Sequence, residues 1–378
     1  MDNWILKQAQ IIPNRIAVED GNKKLTFAEL LASVEQISGQ LAAIGAFKGQ
    51  RIAIMTTNCI YGYQMALASL GSNQTIVWIN WRLADDEIKR QLADSNPSIC
   101  LVDDVLWRKS FENHSQFLKF SDVIKTAAKP IELTNEFDFD DTASIMYTSG
   151  TTGNPKGVLQ TFHNHFASAI SSALNLGISS HDEWVCAVPI FHISGFSIML
   201  RGLIYGMCVR LVPKFYPIEI DQILKYEPVT TISVVPYMLK KLLDLRDKDS
   251  QGYNSKFRCL LLGGGAIDKQ TLIRCQKFNM PVVQSYGMTE TCSQIIALNY
   301  SDAGQRIGSV GKPLFLTQLK LSKVSNEILI KTPALTPGYL NRPQALQKKK
   351  DADGWYHTGD IGHFDKDGFC LSMAELMT

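Results

Sequence analysis

An α/β fold is predicted by three observations. Short apolar runs alternate with stretches of helical period, the alternation occurs twice, and glycine-containing turns follow several of the apolar runs. At 378 residues the chain exceeds what one simple core holds. The pattern divides it into a first α/β subdomain at 1–180, a second at 181–298 and a small β-rich subdomain at 299–371, with 372–378 as a tail that continues none of them. The expected architecture is two doubly wound α/β subdomains plus a small β-barrel-like one.

The clearest helix spans 26–45. Thr26 and Glu29 have the spacing of a capping box, and Leu25 can staple onto Leu30. Phe27, Leu30, Leu31, Val34, Ile37, Leu41 and Ile44 then form one apolar stripe. A strand is expected at Arg51–Met55, a helix near 60–72, a strand at Thr75–Ile79, a helix near 84–95 and a strand at Ser98–Val102. In the second unit, 196–208 reads as helix, Val209–Val212 as strand, Ile218–Tyr226 as helix and Thr231–Val234 as strand. Cys259–Leu262 runs into Gly263, Gly264 and Gly265, a helix starts near Asp268, and Pro281–Ser285 is a short strand. Beyond residue 300 short β-like pieces with Gly and Pro follow: Ile307–Val310, Leu319–Leu321 and Glu327–Lys331.

Composition narrows the function. Lys plus Arg number 38 against 36 Asp plus Glu, a balance that gives no support to an electrostatic nucleic-acid or membrane-surface role. The one tight basic run, Lys348–Lys350, reads as a solvated loop. The N-terminus has no basic-then-apolar signal pattern, and the most apolar stretch, Val185–Val212, is broken by Pro189, His192, Arg201 and Arg210. Eight cysteines without a CxxC pair read as reduced core thiols of a cytoplasmic protein. Nothing in the sequence fixes an oligomeric state.

The strongest chemical signal is Tyr147-Thr148-Ser149-Gly150-Thr151-Thr152-Gly153-Asn154-Pro155-Lys156-Gly157, which follows the apolar run Ala143–Met146. Glycines let backbone N–H groups approach an anion, hydroxyls donate further hydrogen bonds, and Lys156 supplies counter-charge, so the segment suits a phosphate. It is not a Walker A loop, because Gly157 follows Lys156 where Ser or Thr is required.

This segment resembles the signature loop of the adenylate-forming superfamily, which includes acyl-CoA synthetases, luciferases and peptide-synthetase adenylation domains. Four further pieces resemble that superfamily in order: Pro189-Ile-Phe191-His192, Gly263-Gly264-Gly265-Ala266, Gln284-Ser285-Tyr286-Gly287-Met288-Thr289-Glu290 and Tyr356-His357-Thr358-Gly359-Asp360. The resemblance implies ATP, Mg²⁺ and CoA as reactants and metal, with a small carboxylic acid as partner. Thr148, Lys156, His192 and Glu290 become catalytic candidates, and Thr148 with Glu290 the metal candidates. Nucleotide binding falls to Thr148–Gly153, Lys156, Gly263–Ala266, Ser285, Tyr286, Gly287, Thr289 and Asp360.

Each assignment also has a physical reading. Glu290 could hold Mg²⁺ against the phosphates. Asp360 can accept both ribose hydroxyls. The glycine turn would let backbone lie flat on a purine, with Tyr286 stacking opposite. His192 would gate or orient the acyl carboxylate, the alternative being a satisfied core histidine.

Within the superfamily, Pro189–Arg201 looks most like the branch that activates 2-succinylbenzoate in menaquinone synthesis, with ligases for other aryl or medium-chain fatty acids as alternatives. Such an acid has two carboxylates. Arg201, at the start of an otherwise apolar helix, could hold the one that does not react, and Ser194 could assist. The alternative for Arg201 is an internal salt bridge. In the superfamily the segment after the ribose aspartate leads to a hinge and a further domain with a catalytic lysine. Here Asp365–Phe369 fits the approach, but Ser372–Thr378 matches no hinge. The resemblance therefore implies retained ligand binding with impaired turnover, or a catalytically silent nucleotide- and acyl-binding remnant.

Overall fold

Two parallel sheets share one apolar core in the computed structural model, which describes residues 1–112, 114–148, 155–249 and 251–375, of 372–375 the backbone only. The first sheet has six strands in the order Phe117–Lys119, Ile99–Val102, Arg51–Met55, Thr75–Trp78, Thr142–Thr148, Lys156–Thr161. All neighbours are parallel except the last pair, a hairpin. The second sheet has nine strands, with Val282–Met288, Cys259–Leu262, Thr231–Val234, Glu183–Cys186, Cys208–Leu211 and Ile16–Glu19 as its parallel centre. A third sheet of four antiparallel strands spans Gln318–Leu321, Glu327–Lys331, Tyr356–Phe364 and Cys370–Glu375.

Local chemistry accounts for the elements. The Thr26–Glu29 capping box starts the helix Phe27–Ala43, whose Phe27, Leu30, Val34, Ile37 and Leu41 are buried. The helix Ile60–Gly71 is buried at every position but Tyr61, and Gly195–Leu203 are buried in the helix Ile193–Tyr205. Helices apolar all round belong inside a protein. Tyr63 ties these two together, its hydroxyl donating to Met199 O at 2.8 Å. Between the sheets, Ile54 and Trp78 of the first share a core with Val185, Val209 and Ile232 of the second. Asn58 fastens the join, donating to Cys186 O and Val188 O and accepting from Ile190 N–H.

Three expectations change. The sheets do not divide at residue 180: Ile16–Glu19 pairs with Cys208–Leu211, Val18 opposite Val209, so the N-terminal hairpin belongs to the nine-stranded sheet. Ile307–Val310 forms turns rather than a strand, held by Val310 N–H to Cys370 O. Arg201 sits mid-helix in Ile193–Tyr205, not at a helix start. All eight cysteines are free thiols, and among the described residues no helix is long and apolar enough to cross a membrane.

Candidate active site

The C-terminal ends of the parallel strands converge on a cavity of about 220 Å³. Its wall includes Ser194 and Arg201 from the helix Ile193–Tyr205, Gly263 and Gly264 after Cys259–Leu262, and Ser285, Gly287 and Thr289 along and beyond Val282–Met288. Three of the separate sequence motifs thus contribute to one space. The backbone fixes two of these positions. Gly264 has φ +74°, which an L side chain rarely adopts, and a Cβ on Gly287 would lie 2.1 Å from Ser293 O. Ser285 Oγ donates to Leu262 O at 3.0 Å, locking the two strand ends together.

Arg201 is 1% exposed and lines this cavity. It donates through Nη2 to Gln294 Oε1 at 3.2 Å and lies 5.4 Å from the Trp184 ring centroid. Its Nε has no partner among the described residues. Among the described residues no carboxylate lies within 4.0 Å, so the internal salt bridge is not formed. Burial lowers its pKa, with Tyr205 opposing.

A second cluster borders the first through the strand Val282–Met288 and the short helix Thr289–Thr291. Glu290 Oε1 accepts from Tyr339 Oη at 2.8 Å, and Tyr339 and Tyr356 share a hydroxyl contact at 3.2 Å. Tyr286 donates to Asp360, and burial, followed by the Asp360 charge, raises the Tyr286 pKa. Thr148 and Lys156 stand opposite each other in the hairpin register, and Lys156 Nζ lies 5.7 Å from the Tyr339 ring. Gln160 Nε2 donates to Thr289 O at 2.9 Å, setting the backbone just before Glu290.

The remaining candidates lie apart. Ser149, Gly150, Thr151, Thr152 and Gly153 fall outside the described residues. Gly265 and Ala266 are exposed on the loop beyond Gly264. His192 caps the helix Ile193–Tyr205 at the solvent edge, its ring 4.6 Å from that of Phe191. Packing on its inner side and then Arg82 hold the imidazole below its usual pKa. His192 does not line the cavity of Ser194 and Arg201. Tyr339 and Gln160 escaped the sequence reading, because no spacing links them to Glu290, and the pairing of Gln294 with Arg201 is likewise invisible in the sequence.

No group of three or more His, Cys, Asp or Glu that could cage a metal occurs among the described residues. Glu290 with adjacent hydroxyls nonetheless fits Mg²⁺, which is bound through one or two carboxylates, substrate phosphates and water.

The family model described as "AMP-binding enzyme" matches residues 5–340. The chain is 43% identical over 372 residues to a 2-succinylbenzoate–CoA ligase of Listeria monocytogenes, covering 98% of this chain and 77% of the relative. It is 39% identical to the Bacillus subtilis ligase of that name, covering 97% and 76%. Solved structures of o-succinylbenzoate CoA synthetase from Bacillus subtilis are 38% identical. The complex with the acyl-adenylate intermediate superposes at a TM-score of 0.93 over 99% of this chain and 78% of that one. The complex with ATP and magnesium ion gives 0.93 over 99% and 80%. The chain belongs to the AMP-binding enzyme family.

Proposed function

We propose that this chain is an AMP-forming acid–CoA ligase that activates 2-succinylbenzoate. A carboxylate oxygen of the acid attacks the α-phosphorus of ATP, the bond from that phosphorus to the bridging oxygen breaks, and pyrophosphate leaves with the electron pair. The CoA thiolate then attacks the acyl carbon and AMP departs. The observation that carries this reading is Arg201: a buried guanidinium without a counter-anion among the described residues, on a residue lining a cavity whose wall also holds the glycine turn and Ser285. Such a cation calls for an anionic ligand, and a diacid has a carboxylate to spare. Relatives named for this substrate, and a similar structure holding its acyl-adenylate, support the choice.

In this reading Gly263, Gly264, Ser285, Gly287 and Thr289 seat the adenine end, and Asp360, which also accepts from the Tyr286 hydroxyl, takes the ribose hydroxyls. Glu290 and Thr148 would hold Mg²⁺, which when bound neutralises phosphate charge. Lys156 approaches the phosphates, Ser194 assists Arg201, and His192 stands at the entrance.

A stable acyl-sulfamoyl adenosine of 2-succinylbenzoate tests the reading by calorimetry. It is expected to bind at least tenfold more tightly than its counterpart lacking the second carboxylate. Equal affinity for the two would remove 2-succinylbenzoate as the substrate, and no affinity for either would remove the ligase reading.

A further inference from the structure

Lys156, Arg342, Lys348 and Lys349 line one cavity of about 570 Å³ into which no carboxylate side chain projects among the described residues. None of the four forms an ion pair among those residues. The cluster arises from chain segments far apart in sequence. Residues 338–340 run beside the strand Lys156–Thr161, with Leu159 N–H on Gly338 O at 3.1 Å and Leu340 N–H on Gly157 O at 2.8 Å. That pairing carries Arg342 to the Lys156 end of the strand. The short helix Pro343–Gln347 then delivers Lys348 and Lys349 to the same space. The basic run that reads as a solvated loop in the sequence therefore meets the phosphate-motif lysine in the fold.

Four cations around one concavity repel one another and focus a positive potential, an arrangement that a multiply charged anion relieves. Its position says which anion. Lys349 Nζ donates to Tyr356 Oη at 3.5 Å, Tyr356 Oη meets Tyr339 Oη at 3.2 Å, and Tyr339 Oη donates to Glu290 Oε1 at 2.8 Å. The cavity thus lies two tyrosine hydroxyls from the candidate metal carboxylate, and it shares no lining residue with Arg201's cavity.

We propose that Lys348, Lys349 and Arg342, with Lys156, form a diphosphate subsite that receives the pyrophosphate cleaved from ATP, an inference that rests on the adenylating reaction above. The bond from Pα to the bridging oxygen breaks, the electron pair stays on pyrophosphate, and that anion moves toward the four cations. CoA also contains a diphosphate, so the experiment separates the two sources. Pyrophosphate, AMP and CoA are each titrated into the full chain and into Lys348→Glu and Lys349→Gln, at two salt concentrations. Lys348 is exposed and Lys349 half-buried, and unchanged AMP affinity reports an intact fold.

The expected result is pyrophosphate affinity at least tenfold weaker in each variant, a weaker salt dependence, and AMP affinity within twofold of the parent. Lys349→Arg should restore most of the loss. Unchanged pyrophosphate affinity in both variants overturns the subsite, as does a loss confined to CoA or the absence of pyrophosphate binding by the parent chain. Absence of AMP binding by the parent would instead overturn the adenylating reading itself.

Discussion

Arg201 Nη2 donates to Gln294 Oε1 at 3.2 Å, and this amide is the one hydrogen-bond acceptor that the buried guanidinium reaches among the described residues. Gln294 is itself held, its Nε2 donating to Ser172 Oγ at 3.0 Å. The cation is therefore oriented but not neutralised. A buried charge in that state costs stability, and an anionic ligand offsets the cost on binding.

Replacing Arg201 should separate stability from recognition. Arg201→Met fills the space without a charge and is expected to stabilise the ligand-free chain by about 1–4 kcal/mol. The same change should weaken binding of the diacid by about 2–5 kcal/mol and leave a monoacid analogue nearly unaffected. Thermal unfolding without ligand and calorimetry with both acids check the pair of outcomes. Equal weakening of diacid and monoacid would assign Arg201 a structural role only.

Glu290 and Tyr339 allow a graded test of the metal site. Glu290→Ala removes the carboxylate and is expected to weaken Mg·ATP by at least tenfold, about 1.4 kcal/mol or more, while metal-free AMP binds nearly as before. Tyr339→Phe removes only the hydroxyl that donates to Glu290 at 2.8 Å, so a smaller loss is expected, about 0.5–1.5 kcal/mol. Titrating Mg²⁺ at fixed ATP distinguishes the variants. Identical Mg²⁺ dependence in the parent and Glu290→Ala would place the metal elsewhere.

Much of this arrangement is legible in the sequence where the causes are local. The Thr26–Glu29 box, the apolar stripe after it and the strand Cys259–Leu262 before its glycine turn follow from neighbouring residues alone. Pairing across the chain is not legible. Nothing in the composition of Ile16–Glu19 says that it lies beside Cys208–Leu211, because a half-apolar strand fits any sheet edge. The same reason hid Tyr339, which reaches Glu290 only because residues 338–340 add themselves to the strand Lys156–Thr161. Motif residues at strand ends, such as Ser285 and Gly264, line one cavity. His192, at a helix cap outside the apolar cavity, does not join Ser194 and Arg201.

Asp360 accepts from Tyr286 at Oδ2, and a carboxylate has further acceptor sites for ribose hydroxyls. Asp360→Ala should weaken ATP by about 1.5–3 kcal/mol, the range for hydrogen bonds to a charged group, and should hardly alter binding of 2′,3′-dideoxy-ATP. Tyr286→Phe keeps the ring and removes only the hydroxyl on Asp360, so any change of affinity reports that hydrogen bond and not ring contact with the base. Calorimetry with the two nucleotides reads both effects. An equal loss for ATP and its dideoxy analogue in Asp360→Ala would dismiss the ribose contact.

His165 supplies the pH prediction. It is buried, its Nε2 lies 2.9 Å from Ser144 Oγ, and Ser144 also donates to Gln160, the residue that sets the backbone before Glu290. Burial, and secondarily the Arg201 charge, push its pKa from 6.5 down to about 3. In the unfolded chain the imidazole takes up a proton below about pH 6.5, whereas the folded chain refuses it until about pH 3. The unfolded state thus binds more protons in that window. The stability that His165 contributes is complete above pH 6.5 and declines as pH falls toward 3, by about 1.4 kcal/mol per pH unit for one proton. Arg201 and His165 are coupled, so Arg201→Met should raise the His165 pKa and narrow the window from below. Glutamine at position 165 can keep a hydrogen bond to Ser144 and does not titrate. Denaturant unfolding of the parent and His165→Gln between pH 7.5 and 4.5 is expected to give a shallower acid decline in the variant, by about 1.4 kcal/mol per unit below pH 6.5. Parallel declines would mean that His165 is protonated in the folded chain, and the polar path from His165 through Ser144 and Gln160 to Thr289 would then have to include a charged imidazolium.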